Sequence, residues 1–253
     1  MPEGAAATVQ STPVSENVKA NERLIVALNQ PTIENALELV SALEGRVDFY
    51  KIGLQLQMMS GVDGLIENLL QDGKRVFLDY KYYDIDETVK DAVARAAARN
   101  ITFLTVHGNG DIIKAAVEAC GDSPLKIFAV TVLTSLDADD LRDLFGRDVD
   151  VRELVLHRAR KAIEYGCDGV IASSNEVSDI CRLENSERLL ITTPGIRLDG
   201  QGIDDHKRPG TPEQAITDGA DYLVVGRPII NADDPVRAAD DYIEVMQSAF
   251  DAL

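Results

Sequence analysis

From Arg23 onward, short β-branched and apolar runs recur along the chain, each followed by a longer stretch whose apolar residues return at helical spacing. The runs with strand character are RLIVALN (Arg23–Asn29), FYKIG (Phe49–Gly53), RVFLDYK (Arg75–Lys81), TFLTVHG (Thr102–Gly108), KIFAVTVL (Lys126–Leu133), GVIAS (Gly169–Ser173), LLITTPGI (Leu189–Ile196) and YLVVGRPI (Tyr222–Ile229). Between the first two, Thr32–Leu43 places Ile33, Ala36, Leu37 and Val40 on one face, behind a threonine that can cap the first turn. Asp86–Arg99 has the same character, and Val151–Gly166 predicts a long helix before the sixth strand. The Asp137–Arg152 region is left for a short helix and a loop. Strictly alternating strand and helix predict a parallel sheet. Eight such units in about 230 residues match the ~250-residue (β/α)8 TIM barrel. A doubly wound sheet would usually carry a glycine-rich turn after its first strand, and the first turn here is NQPT.

Composition narrows the class without changing the architecture. The chain has 253 residues, 45% hydrophobic, enough for one domain with a full core. No Pro-rich linker or low-complexity segment interrupts residues 23–253, so a single domain is expected there, preceded by a flexible tail over residues 1–22. That tail shows neither a signal-peptide nor a transit-peptide pattern. Lys and Arg number 25 against 43 Asp and Glu, a net charge of −18 that disfavours nucleic acid and anionic membranes as partners. No apolar run approaches the roughly 20 residues of a membrane span. Cys120, Cys167 and Cys181 are odd in number and none forms a C-x-x-C pair, which fits a reducing cytoplasm better than a disulfide framework or a zinc site.

In a barrel of this kind the chemistry gathers at the C-terminal ends of the strands. Those ends carry Asn29, Lys51, Asp79, Lys81 with Asp84 just beyond, His107, Thr134 with Ser135, Arg197 and Arg227. The densest group is FLDYKYYDI, Phe77–Ile85, where two-residue alternation would turn Asp79 and Lys81 the same way, into the mouth of the barrel. An isolated buried lysine tends to lose its proton, and flanking carboxylates hold it on. Asp-x-Lys-x-x-Asp is therefore a means of fixing an ammonium beside a reacting carbon. A solvated salt-bridge cluster is the plain alternative, weakened here by the preceding RVFL run. After the eighth strand, Gly226 lets backbone N–H groups approach an anion and Arg227 supplies a two-pronged donor, at the place where such barrels commonly bind phosphate. Thr192–Pro212 is a long glycine-rich loop carrying Arg197, His206, Lys207 and Arg208, with the features of a functional lid.

From Leu24 to about Ile243 the chain resembles the orotidine 5′-monophosphate decarboxylase family of the bacterial type. The resemblance is carried by VAL at Val26–Leu28, YKIG around Lys51, FLDYKYYDI with Thr88, VTVLTS at Val130–Ser135, TPGIR at Thr193–Arg197, and YLVVGRPI with ADDP behind it. It implies decarboxylation of a pyrimidine nucleotide to UMP, without metal or organic cofactor, in a homodimeric barrel with shared active sites. It places the proton donor on Lys81 with Asp79 beside it, brings Lys51 into the charged network, and sends Asp84 across the dimer interface with Ile85 and Thr88 nearby. Thr134 and Ser135 fall where the family contacts the base, Arg197 on a ligand-contacting arginine, and Gly226 with Arg227 on the phosphate grip. Two positions depart from the family pattern: Asn29 stands where the family has an aspartate facing the ribose, and His206 where its lid has a phosphate-contacting glutamine.

Other readings fit these residues less well. Of the three histidines only His107 lies at a strand end, which makes a structural role more natural than a metal site. A magnesium-dependent keto-sugar-phosphate decarboxylase of the same broader group also uses D-x-K-x-x-D, but TPGIR and LTS point away from it. A nucleotide-binding pseudoenzyme would account for Asn29 and His206, yet has no reason to keep the set Lys51, Asp79, Lys81 and Asp84.

Overall fold

The computed structural model describes residues 18–200 and 208–253; most of the expected tail and His206 lie outside them. Eight parallel strands close into a barrel in chain order: β1 (Leu24–Ala27), β2 (Phe49–Gly53), β3 (Arg75–Tyr82), β4 (Phe103–His107), β5 (Lys126–Val130), β6 (Gly169–Ile171), β7 (Leu190–Pro194) and β8 (Tyr222–Val225). The ring closes where β1 pairs with β8, Ile25 opposite Val224. Each of the eight expected runs supplies one strand, several of them shorter than the apolar run.

The eighth run shows why. Gly226 leaves the extended conformation after Val225, and Arg227–Ile230 turns into a short helix, with Pro228 where a helix start tolerates its missing N–H. The expected Tyr222–Ile229 strand is thus a strand plus a helical turn. The helices fall where the spacing puts them: Ile33–Ala42 is capped by Thr32, whose hydroxyl accepts from the Asn35 N–H at 3.1 Å. Ala138–Phe145 opens with a reciprocal capping box between Asp137 and Asp140. Ahead of β1, Ala20–Glu22 form a 3₁₀ turn, and the Ala20 N–H donates to Gln247 Oε1 at 2.9 Å. The chain is therefore anchored to the Pro235–Asp251 helix before the barrel begins.

Inside the ring, two-residue alternation stacks side chains in layers. Phe49, Phe77, Phe103 and Phe128 form an aromatic layer, with Phe103 centred 4.9 Å from Phe49 and 4.4 Å from Phe128. Such rings together bury a large apolar area and contribute edge-to-face contacts beyond it. Gly169 is what makes room for Phe128, since a Cβ there would lie 2.3 Å from the phenylalanine ring. Two residues further along three of the same strands come Lys51, Asp79 and Thr105. The barrel thus changes from aromatic to charged within one layer. Outside the ring, a larger apolar core packs the strands against the surrounding helices.

Candidate active site

Asp79 is the centre of the charged layer. Its Oδ2 lies 3.2 Å from Lys51 Nζ and its Oδ1 2.7 Å from Lys81 Nζ. The Thr105 hydroxyl donates to the same Oδ1 at 3.0 Å and accepts from the Lys81 N–H at 3.0 Å. Burial works to raise the Asp79 pKa, but the two ammonium groups overcome it and hold the carboxyl below its ordinary range. At 14% exposure this carboxylate would be costly alone; paired on both sides it is fixed in place.

Asp79 and Lys81 meet by a route that simple alternation does not describe. Leu78 pairs with Leu104 but Tyr82 pairs with Val106, so the β3–β4 register shifts between them. Lys81 itself has φ of 50°, the left-handed region that a side chain seldom occupies. Regular alternation to Lys81 is therefore replaced by a bulge, whose strained residue is the lysine that presents its ammonium to Asp79. Strain of this kind persists where surrounding contacts over-determine it, and the Thr105 hydroxyl on the Lys81 N–H is one of them.

A cavity of about 300 Å³ opens above the aromatic layer. The structure brings Asn29, Lys51, Asp79 and Lys81 into its wall, with Thr134 and Ser135 from beyond β5. Arg197, Gly226 and Arg227 line it from beyond β7 and β8, and Phe77, Val130, Ile171 and Val224 supply apolar surface. Among the described residues that line it, four cationic side chains stand against one carboxylate, which suits an anion in a protein of net charge −18. Asp84, Ile85 and Thr88 are not brought to it. All three are exposed in the single chain, and Asp84 Oδ1 accepts from the Ile85 N–H at 2.7 Å. His107 stacks on Tyr83, ring centres 4.9 Å apart, and burial, with Arg158 and Lys81 nearby, pushes its pKa down. Among the described residues, no three His, Cys, Asp or Glu side chains gather to hold a metal ion.

Thr105 was not singled out from the sequence. Its parity with Phe103 and His107 on one strand was the available signal, but its two partners lie 24 and 26 residues away.

Fold and site together define a class: barrels whose C-terminal mouth holds a cationic pocket built around a lysine–aspartate–lysine cluster. Residues 22–242 match the family model described as Orotidine 5′-phosphate decarboxylase / HUMPS family. The chain is 51% identical over 230 residues to the orotidine 5′-phosphate decarboxylase of Nitrobacter winogradskyi, spanning 91% of this chain and 95% of that protein. It is 48% identical over 221 residues to that of Jannaschia sp., 87% of this chain and 96% of that one. The crystal structure of orotidine 5′-phosphate decarboxylase from Lactobacillus acidophilus superposes with a TM-score of 0.77 at 35% identity, covering 89% of this chain and 99% of the other. The chain belongs to the orotidine 5′-phosphate decarboxylase / HUMPS family.

Proposed function

We propose that the chain decarboxylates orotidine 5′-monophosphate to UMP in de novo pyrimidine biosynthesis, with Lys81 as the proton donor. Within a family that also contains the HUMPS branch, the 51% and 48% identity to proteins named as the decarboxylase favours this chemistry. The observation that carries the residue roles is the Lys81 ammonium, held 2.7 Å from Asp79 in the wall of a cationic cavity. Breaking the bond from the ring carbon to the carboxylate releases CO₂ and leaves an electron pair the ring cannot delocalise well. A preorganised ammonium stabilises that pair and then gives its proton to the same carbon, leaving a neutral lysine that is reprotonated from water. Asp79, beside the departing carboxylate, disfavours the bound anion more than the transition state. Arg227 and Gly226 take the phosphate, Thr134 and Ser135 the base, and Asn29 a ribose hydroxyl. Binding energy from the phosphate, remote from the reacting carbon, is then available to the chemical step.

Asp84, Ile85 and Thr88 belong to this site through a second copy of the chain. Met58 is 87% and Ile85 72% exposed, with Leu54 and Tyr83 also open, an apolar group at the exits of the neighbouring strands β2 and β3 that a homodimer would cover. The three free cysteines agree with a cytoplasmic setting.

The test is loss of the orotate absorbance band on adding enzyme to the nucleotide, with a chelator present to separate this reaction from a magnesium-dependent one. Mixing inactive Lys81→Ala and Asp84→Ala chains should restore turnover, because some mixed dimers carry one site with neither change. Subunit exchange without recovery would show that the sites are not shared.

A further inference from the structure

Arg208 does not line the cavity, yet it ties together three strand exits that do or that flank it. Its Nη1 donates to Glu176 Oε1 at 2.5 Å, and its Nη2 to the carbonyls of Val132 at 3.4 Å and Leu133 at 3.1 Å, just past the end of β5. Its own carbonyl accepts from the Ser173 hydroxyl at 3.2 Å, past the end of β6. Two residues on, the Gly210 carbonyl accepts from the Arg197 N–H at 2.9 Å, and Ile196 bridges Gly210 past the end of β7. Only glycine fits there, because a Cβ at 210 would fall 2.1 Å from Ser174 Oγ.

The pair is poorly built for stability. Glu176 is 5% exposed, its Oε2 makes no hydrogen bond, and neither does Arg208 Nε. Burial pushes the Glu176 carboxyl up, and Arg208 offsets that only in part. Two apolar side chains of similar volume would hold the same space at lower cost. What they could not do is direct a planar, five-donor fork at two carbonyls of an irregular segment. That segment leads directly into Thr134 and Ser135, while Arg197 and Gly195 on the other side of the tie line the same cavity.

We propose that Arg208 and Glu176 are positioning residues which set the separation between the base-contacting wall after β5 and the ligand-contacting wall after β7. This rests on the placement of base and phosphate proposed above. A fixed separation matters only to a substrate that reaches both ends of the cavity. The nucleotide does; the nucleoside, lacking the phosphate, does not.

The test compares kcat/KM for orotidine 5′-monophosphate and for orotidine in wild type, Arg208→Met, and Arg208→Met with Glu176→Leu. The single variant leaves a buried carboxylate unpaired and can unfold, whereas the double variant removes both charges and should keep a Tm close to wild type. In the double variant the advantage of nucleotide over nucleoside should fall at least ~10-fold, about 1.4 kcal/mol of transition-state binding, while turnover of the nucleoside changes little. Arg208→Lys should recover only part of the loss, since one ammonium cannot reproduce the fork. A folded double variant with the wild-type ratio, or one that loses both substrates equally, overturns the proposal. Arg227→Ala is run alongside: if it too leaves the ratio unchanged, the placement of the phosphate is wrong, whereas a ratio that falls for Arg227 but not for the double variant rejects the positioning role alone.

Discussion

Strand β3 carries an ion cluster at each end, built from the same residue types in opposite senses. At its base the buried partner is a lysine: Lys74 is 4% exposed and reaches Glu44 at 3.0 Å and Asp48 at 2.7 Å, both of them open to water. At its mouth the buried partner is a carboxylate, Asp79, between Lys51 and Lys81. Each cluster has a surplus charge, and its surroundings decide what that charge does. The surplus at the base is negative and faces solvent, where hydration satisfies it. The surplus at the mouth is positive and faces a cavity whose other ionisable walls, among the described residues, are Arg197 and Arg227. It is therefore held ready for an anion, because charges fixed in a partly desolvated site need little reorganisation when a reaction develops negative charge.

The comparison breaks most sharply at Lys81. Lys81→Ala should lower kcat/KM by at least ~10³-fold, since it removes the proposed stabilising charge and proton donor together. Stability should fall modestly, because Asp79 loses one of its two ammonium partners, and Lys81→Gly, which relieves the left-handed backbone at 81, should fall less. Steady-state kinetics beside thermal unfolding checks both. A variant keeping a tenth of the wild-type rate would show that the surplus charge is not the proton source.

Arg227→Ala tests the other end of the same cavity. It should cost ~2–4 kcal/mol of transition-state binding to the nucleotide, as when one partner of a charge-assisted pair is removed. The cost should largely vanish with the nucleoside. Equal losses on both substrates would place Arg227 away from the phosphate.

At the base, Lys74→Met should leave kcat unchanged and remove about 1–2 kcal/mol from the unfolding free energy, modest because both acids can rehydrate. Burial works against the charge on Lys74, but its hydrogen bonds to Asp48 and Glu44 outweigh that and raise its pKa. Its contribution is therefore fully present below the unfolded-state pKa of roughly 10.4 and is lost as pH rises through the higher folded value. Asp79, with its folded pKa depressed, contributes above roughly pH 4 and loses its contribution as pH falls. Denaturant titrations across pH should thus show the Lys74→Met deficit narrowing at the alkaline end as the ammonium is lost. A deficit that stayed constant through the alkaline end would contradict the assignment of the lysine as the buried partner.

How far the sequence led differs between the two scales of the structure. Strand and helix positions are set by local periodicity, so all eight strands were readable, and so was the placement of Asn29, Lys51, Thr134 and Arg227 at one end of the barrel. Periodicity also located Lys81, but not its conformation, because the bulge depends on Thr105 pairing with its backbone from the next strand. Arg208 is legible as a charged residue of the long loop, but its pairing with Glu176 was beyond reach for the same reason. Their contact spans 32 residues and joins the first turn of the Ser174–Cys181 helix to the irregular segment after β7, and nothing in either segment's spacing announces it. Strand ends read from apolar composition run past the last ladder pair, as in TVL beyond Val130.

The finest test of the mouth is Asn29, where the resemblance would put an aspartate. The amide carbonyl lies on the Lys51 side of the cavity and the amide nitrogen on the Gly226 side: a Cβ built on Gly53 would be 3.0 Å from Lys51 Nζ and 3.7 Å from Asn29 Oδ1, and one on Gly226 would be 3.9 Å from Asn29 Nδ2. Asparagine thus offers an acceptor on the Gly53 side and a donor on the Gly226 side, a polarity that aspartate cannot have. Aspartate would strengthen a bond from a ribose hydroxyl and orient Lys51 more firmly, but would bring a negative charge toward the phosphate. The first effect is worth roughly 1 kcal/mol, the excess of a charge-assisted hydrogen bond over a neutral one, and the second subtracts from it. Asn29→Asp should therefore raise kcat/KM by no more than about tenfold, with the gain larger for the nucleoside than for the nucleotide. A gain of orders of magnitude from a silent wild type would mean that this chain binds nucleotide without turning it over. A gain equal on both substrates would mean that the amide nitrogen does not face the phosphate.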